Sequence, residues 1–168
     1  SQIVNALISA AKNGKKVTVF VELKARFDEA NNLKWSKKMK TAGIKIINSI
    51  PGLKVHAKAA LVKREEDKHI KHYSFLATGN FNEATGRFYT DHVFFTTKKE
   101  FGKELDWVFD YLQSRKQPAE YMKIPFEHLL VSQFNMIRRF EKMIDREIKN
   151  ASKGRPAGII IKLNNLQE

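Results

Sequence analysis

The stretch LKVHAKAALV, residues 53–62, places one histidine and two lysines in an otherwise apolar run. Successive side chains of a β-strand point to opposite faces of the sheet, so alternate residues share a face. One face of this strand would be entirely apolar, formed by Leu53, Val55, Ala57, Ala59 and Leu61. The opposite face would carry Lys54, His56 and Lys58. A core strand has no need of such a polar column. The stretch predicts a sheet strand whose His56 and Lys58 are either ordinary surface residues or a pair able to address one oxyanion.

Helical and strand patterns alternate on both sides of this stretch. The predicted strands cover residues 17–23, 44–50, 53–62, 70–78 and 88–97. The predicted helices cover the first residues of the chain, 33–43, 98–113 and 126–150. A short apolar strand within 154–168 has few neighbours and is expected to open a following domain. This order predicts the α/β class, with a mixed sheet flanked by helices and followed by a long C-terminal helix.

The composition narrows the class of partner but does not choose one. The 31 Lys and Arg residues outnumber the 18 Asp and Glu residues, giving a formal net charge of +13. Such a charge favours a polyanion, whether nucleic acid, anionic lipid or a phosphate polymer. The absence of cysteine excludes disulfides and thiolate metal sites and suits a cytoplasmic setting. No apolar run approaches the roughly 20 residues of a membrane span, and the missing initiator Met suggests a fragment of a longer protein.

A second motif, TGNFN at residues 78–82, follows about twenty residues after His56 and Lys58. Gly79 permits a close approach of the backbone, and Asn80 and Asn82 carry amide donors suited to phosphate oxygens. The H-x-K strand and this G-x-x-N-like loop together resemble a half-site of the phospholipase D superfamily. In that superfamily two halves face each other, and a histidine is transiently phosphorylated. Its pattern has an aspartate where this chain has Lys63, which argues against an ordinary phosphodiesterase.

Longer motifs resemble a narrower family, the bacterial polyphosphate kinases with a phospholipase-D-like fold. They are VELKARFDEANNLKW, IPGLKVHAKAALV and ATGNFNEATGRFYTDH, in this order. The resemblance runs from about residue 2 to beyond residue 110. It implies that residues 1–115 form the first C-terminal catalytic domain, and that residues 116–168 hold a connector, the long helix and the start of the next domain.

The resemblance also implies an activity and its partners. The enzyme would reversibly transfer the γ-phosphate of ATP to inorganic polyphosphate through a phosphohistidine, with Mg²⁺ and ATP or ADP bound. Its partners would be polyphosphate, the remaining domains of the same chain and further copies of it, with no specific nucleic acid. We expect a cytoplasmic protein, with peripheral association at the inner membrane left open. The fragment alone is expected to turn over poorly or not at all.

The resemblance assigns roles to three residues in the first two of these motifs. His56 matches the histidine that accepts the phosphate, and a neutral imidazole is a good nucleophile near pH 7. Lys58 matches the companion lysine and is assigned to charge neutralisation. Arg26, in ARFDE, matches an arginine of the magnesium and phosphate site. Because a guanidinium has no lone pair for a cation, Arg26 is interpreted as a phosphate clamp beside Mg²⁺.

Two further residues follow from FYTDH. Tyr89 matches a tyrosine that contacts the nucleotide, and Asp91 matches an aspartate near the reactive histidine. On a strand, residues two apart share a face, so both side chains could serve one site. An aspartate there could orient His56 and stabilise its cationic form.

One departure and two alternatives qualify this interpretation. Some family members carry a second histidine before the T-G-N loop, where this chain has Phe75, and His72 should lie on the opposite face of that strand. A basic nucleic-acid-binding module is one alternative, although the aromatic residues lie at core-like spacings and not on an exposed stacking platform. A phospholipase-D-superfamily phosphodiesterase is the other.

Overall fold

The computed structural model of the chain describes residues 2–22, 29–50, 52–114, 116 and 123–162. They fall into two compact units, residues 1–117 and 118–168. Within the described ranges, no helix combines the length and the apolar character needed to cross a membrane.

The first unit opens with two parallel strands joined by a helical crossover. Its elements are α1 (Gln2–Lys12), β1 (Thr18–Val21), α2 (Glu29–Thr41) and β2 (Lys45–Asn48). Strands β1 and β2 pair in parallel with Thr18 opposite Lys45, which requires a crossover such as α2. Gly43 ends α2 in the left-handed conformation, with φ of +84°. The N–H of Ile44 donates to the carbonyl of Met39 at 3.1 Å, so Gly43 caps the helix, as a glycine at the end of the predicted helix 33–43 favours.

A three-stranded antiparallel sheet follows in the order β3-β4-β5. Its elements, with the helix after them, are β3 (Lys58–Glu66), β4 (His69–Ala77), β5 (Val93–Thr96) and α3 (Lys99–Ser114). Asp67 and Lys68 close the β3–β4 hairpin with positive φ angles of 50° and 64°, as a tight two-residue turn requires. The predicted α/β class is confirmed, and among the described residues the parallel and antiparallel pairings occur in separate sheets.

Helix α3 covers one face of this antiparallel sheet. On that face the rings of Phe94 and Phe101 lie 5.4 Å apart, and Ser74 is 2% exposed. A Cβ on Gly102 would overlap the side chain of His72, so α3 packs closely on β4 at that point. Lys58 and Phe75 belong to the opposite face, because side chains alternate along each strand. His72 and Phe75 therefore face opposite ways, as predicted.

The strand predicted at 53–62 begins only at Lys58, which corrects the sequence interpretation. Residues 53–57 are irregular, and Ala57 is exposed although it was assigned to the apolar face. The physical reason is the length of the neighbouring strand. Lys58 pairs with Ala77, the last residue of β4, so residues before Lys58 have no strand beside them.

The strand predicted at 88–97 is likewise shorter, since β5 starts at Val93. A 3-10 turn at Thr85–Arg87 precedes it, and residues 88–92 are irregular. Tyr89 and Asp91 therefore do not share a strand face, contrary to the prediction.

The second unit contains the long C-terminal helix, but that helix begins later than predicted. A π-helical turn (Ser132–Met136) leads into α4 (Ile137–Ser152), whereas residues 126–131 are not helical. The side chain of Asn135, 5% exposed, holds this preceding loop. Its amide nitrogen donates to the carbonyls of Phe126 and Leu129 at 3.1 and 2.9 Å, and its oxygen accepts the N–H of Val131 at 2.8 Å. Such side-chain bonds to the backbone compete with helix formation.

The apolar strand predicted near the end of the chain is absent from the part that the structure describes. Residues 158–162 are irregular, and Ile160 is fully exposed. The rest of that predicted strand lies outside the described residues.

We expect Asn135→Ala to loosen the 126–131 loop. Two buried carbonyls and one partly buried N–H would lose their bond to this side chain, and a buried group left unsatisfied costs roughly 1–3 kcal/mol. The measurement is hydrogen exchange of the Val131 amide in the full-length protein, which should become faster in the variant. Gln133→Ala, a change at an exposed neighbour, is the control. Equal exchange in both variants would contradict the role of Asn135.

Candidate active site

The candidate site lies where β3, β4 and β5 meet their connecting segments. Lys58 stands opposite Ala77, and Ala77 stands opposite Val93, so three strands end side by side here. The segment 53–57 enters from β2, and the TGNFN loop leaves from β4. The structure thus brings together the two motifs that the sequence singled out.

Lys58 and His56 form a direct hydrogen bond. The Nζ of Lys58 lies 2.9 Å from the Nε2 of His56. Because an ammonium group only donates, Nε2 must accept and is unprotonated, which places the ring proton on Nδ1. Lys58 is 9% exposed, whereas His56 is exposed. The atom that would attack phosphorus therefore keeps its lone pair.

The surrounding charges keep the imidazole neutral. The positive charge of Lys58, then partial burial, then the charge of Lys54 hold the pKa of His56 below its ordinary value of 6.5. Two of these three causes are cations of the same short stretch. His56 is therefore uncharged at neutral pH, as a nucleophile must be.

Asp91 influences Lys58 electrostatically. Burial lowers the pKa of Lys58, and the negative charge of Asp91 opposes that change. The Asp91 carboxylate accepts a hydrogen bond from the Thr78 hydroxyl at 3.0 Å. Its electrostatic partner is thus the lysine, whereas the sequence interpretation had Asp91 acting on His56.

Gly79 allows a close approach, and the group that approaches is Asp91. A Cβ at position 79 would overlap the carboxylate of Asp91. The sequence predicted a close approach of the backbone at this glycine without naming the group that approaches. In the structure it makes room for a charged side chain of the site itself.

The two asparagines of the loop have different surroundings. The side-chain oxygen of Asn82 accepts the N–H of Ala84 at 2.9 Å and so shapes the turn that follows. The side chain of Asn80 is exposed. Their predicted contacts with phosphate stay predictions, as does the nucleotide contact of Tyr89, which is 64% exposed.

Phe75 is built into an aromatic cluster. Its ring stacks on Phe81 of the TGNFN loop at 5.2 Å and meets Phe95 of β5 edge-on at 5.0 Å. The residue that stands where some family members have histidine thus supports the loop by packing. A phenylalanine has no titratable group, so position 75 cannot transfer a proton.

The described residues do not form a metal site by themselves. Within the ranges that the structure covers, no group of three or more His, Asp or Glu side chains is placed to hold an ion. Arg26, predicted at the magnesium and phosphate site, lies outside the described residues. Mg²⁺ in phosphoryl-transfer sites is commonly held through substrate phosphates with one or two carboxylates.

Sequence reasoning missed two supporting residues. Glu22, just after β1, accepts the N–H of Val55 at 3.4 Å and ties the segment that carries His56 to the parallel sheet. Thr78 connects β4 to the residues before β5 through its hydroxyl. A glutamate at the carboxyl end of a buried strand is a detectable signal, but the partner of Thr78 is not visible in any local pattern.

Lys58→Gln is expected to raise the pKa of His56 toward 6.5, because it removes the largest cause of the lowering. Diethyl pyrocarbonate modifies neutral imidazole, so the pH midpoint of its reaction with His56 reports this pKa. In the full-length protein, followed by peptide mass spectrometry, the midpoint should move to higher pH.

Lys54→Gln should move the midpoint in the same direction but less, since Lys54 is the third cause. Lys68→Gln, in the exposed hairpin turn, should leave it unchanged. A midpoint for Lys58→Gln at or below the native one would refute this account of the site.

Comparison with known proteins covers the whole chain. Residues 1–118 match the family model described as polyphosphate kinase C-terminal domain 1, and residues 129–168 match C-terminal domain 2 of the same description. The polyphosphate kinase of Escherichia coli K12 is 46% identical over 166 residues, which is 99% of this chain and 23% of that protein. That of Vibrio vulnificus YJ016 is 44% identical over the same length.

A solved structure agrees with these matches. The crystal structure of polyphosphate kinase from Porphyromonas gingivalis superposes with a TM-score of 0.75 and 44% identity. The match covers 92% of this chain and 25% of the Porphyromonas gingivalis chain. The phospholipase-D-like fold class expected from the sequence is thereby confirmed. The chain spans about a quarter of the length of the relatives it matches.

Proposed function

Because the chain belongs to the polyphosphate kinase family, we propose that it carries the nucleophile-bearing half of that enzyme's active site. The full-length enzyme would reversibly transfer the γ-phosphate of ATP to inorganic polyphosphate through phospho-His56. The observation that supports this is the 2.9 Å contact between Lys58 Nζ and an unprotonated His56 Nε2. This contact places a neutral nucleophile, His56, directly beside a cation, Lys58.

The first step would be attack of Nε2 on the γ-phosphorus of ATP. The bond from phosphorus to the β,γ-bridging oxygen breaks, ADP leaves with that electron pair, and a phosphorus–nitrogen bond forms. Lys58 loses its hydrogen bond to Nε2 at this moment and can donate to a phosphoryl oxygen instead. The cation that kept the imidazole neutral would then offset charge on the transferred group.

The second step would return the histidine to its initial state. A terminal oxygen of polyphosphate attacks the phosphorus of phospho-His56, the phosphorus–nitrogen bond breaks, and the lone pair returns to Nε2. The polymer is then one phosphate longer. Both steps reverse when ADP accepts the phosphate, which gives ATP.

Other residues would bind the substrates. We assign Arg26 to clamping a phosphate, Asn80 to donating to phosphate oxygens and Tyr89 to contacting the nucleotide. Asn82 would act mainly by shaping the loop, given its bond to Ala84. Mg²⁺ would arrive with ATP and reduce the charge of its phosphates.

The domain arrangement follows the same proposal. Residues 1–115 would be the first catalytic domain, and residues 116–168 would hold the connector, the long helix and the beginning of the next. The remaining domains of the longer chain would complete the nucleotide pocket, and the enzyme would form homo-oligomers in the cytoplasm. The fragment alone would have little or no activity.

Mass spectrometry of the full-length protein after incubation with ATP tests the nucleophile. We expect an acid-labile phosphate on His56 in the native protein and none in His56→Ala. His69→Ala, at an exposed histidine of the hairpin, is the matched control and should be phosphorylated normally. An acid-labile phosphate that persists in His56→Ala would rule out this assignment.

Binding measurements separate the kinase from a nucleic-acid-binding module. The full-length protein should bind polyphosphate more tightly than single-stranded DNA of equal charge. Both affinities should fall as salt rises, because counterions are released from either polymer. Arg26→Gln should weaken polyphosphate binding. A preference for DNA that neither Arg26→Gln nor His56→Ala alters would support the binding module instead.

A further inference from the structure

The hydroxyl of Thr78 replaces a backbone group at the end of the β4–β5 ladder. The N–H of Thr78 donates to the carbonyl of His92 at 3.1 Å, which continues the antiparallel pairing by one residue. In a regular ladder the N–H of His92 would donate to the backbone carbonyl of Thr78. It donates at 3.0 Å to the Thr78 hydroxyl instead.

The same hydroxyl then holds Asp91. Since its oxygen accepts from His92, its hydrogen remains for the Asp91 carboxylate, and the two oxygens lie 3.0 Å apart. Gly79 bounds that carboxylate on another side, because there is no room for a Cβ between them. The position of Asp91 is therefore fixed by one hydroxyl and by one missing side chain.

The contact with Gly79 places this carboxylate near the end of β4 where Lys58 lies. Ala77, the last residue of β4, faces Lys58 across β3 and Val93 across β5. Gly79, against which the Asp91 carboxylate lies, is two residues beyond Ala77 in the chain. Asp91 and Lys58 thus flank the same end of β4. The electrostatic effect of Asp91 on Lys58 agrees with this geometry.

We propose that Thr78 is a positioning residue for the reaction at His56. Its hydroxyl fixes Asp91 beside Lys58, and Lys58 in turn directs the Nε2 lone pair of His56. Thr78 thus positions Asp91, Asp91 acts on Lys58, and Lys58 acts on His56. This inference rests on the proposed function, and it differs from a direct contact between Asp91 and His56.

The chemistry allows a sharp choice of variants. Thr78→Val keeps the shape of the side chain but removes both the acceptor and the donor. Thr78→Ser keeps the hydroxyl but removes a methyl group. A role in packing would tolerate valine and suffer from serine, whereas a role in positioning Asp91 predicts the reverse. Thr97→Val, at an exposed threonine after β5, is the matched control.

The test is steady-state kinetics of the full-length enzyme, with the rate of His56 phosphorylation measured in parallel. Loss of a residue that orients a metal ligand costs about 10-fold to 100-fold, and we take the same range for a residue that orients a reactive side chain. We expect Thr78→Val to lower kcat and the phosphorylation rate by about that factor, with KM for ATP changed less than about twofold. Thr78→Ser and Thr97→Val should stay within about threefold of native. Native kcat in Thr78→Val, or an equal defect in Thr78→Ser, would overturn the proposal.

A double variant tests the path of action. If Thr78 acts through Asp91, Thr78→Val should have little further effect in an Asp91→Asn background, because coupled residues are not additive. Fully additive losses would overturn the proposed order. These outcomes are distinct from a failure of the proposed function. That failure would appear as phosphate elsewhere than on His56 in the native enzyme.

Discussion

The site depends on one register position, the pairing of Lys58 with Ala77 where β4 ends. The chain before Lys58 leaves the sheet there because β4 provides no further partner. Lys58 is thus the first residue of its strand, with a rigid backbone and a side chain that is 9% exposed. A buried ammonium is costly unless it is paired. The hydrogen bond to His56 and the negative charge of Asp91 together meet that requirement.

One cation then serves two stages of the proposed reaction. Before phosphate transfer, Lys58 lowers the pKa of His56 and so keeps Nε2 unprotonated. Once the Nε2 lone pair is used in a bond to phosphorus, the lysine has lost its acceptor, and phosphoryl oxygens are the nearest replacement. The electrostatic environment therefore needs little rearrangement during the step, which is the condition under which fixed charges assist catalysis best.

Much of this arrangement was predictable, and the failures share a cause. Local patterns are enough to predict the central part of each strand and the glycine cap at Gly43. They also predict that His56 lies near Lys58 and that His72 faces the other way. The strands predicted at 53–62 and 88–97 were expected to begin too early. The end of a strand depends on where the neighbouring strand stops, which no local pattern shows. The long helix was predicted too early because Asn135, within it by pattern, binds the loop instead. Thr78 was missed because its partner is 14 residues away in sequence.

The exposed surface beside Lys58 bears on why such a site needs the rest of the protein. Phe95 is 73% exposed and Val93 is 52% exposed, and both lie on the face of the sheet that carries Lys58. His56 is exposed as well. A phosphohistidine open to water would lose its phosphate to hydrolysis, so transfer to a second polymer requires that water be excluded. Whatever covers Phe95 and Val93 would approach the nucleophile from the same side. In the proposed reaction, His56 and Lys58 would supply the first step, and other parts of the enzyme would supply the protection from water that makes the second step productive.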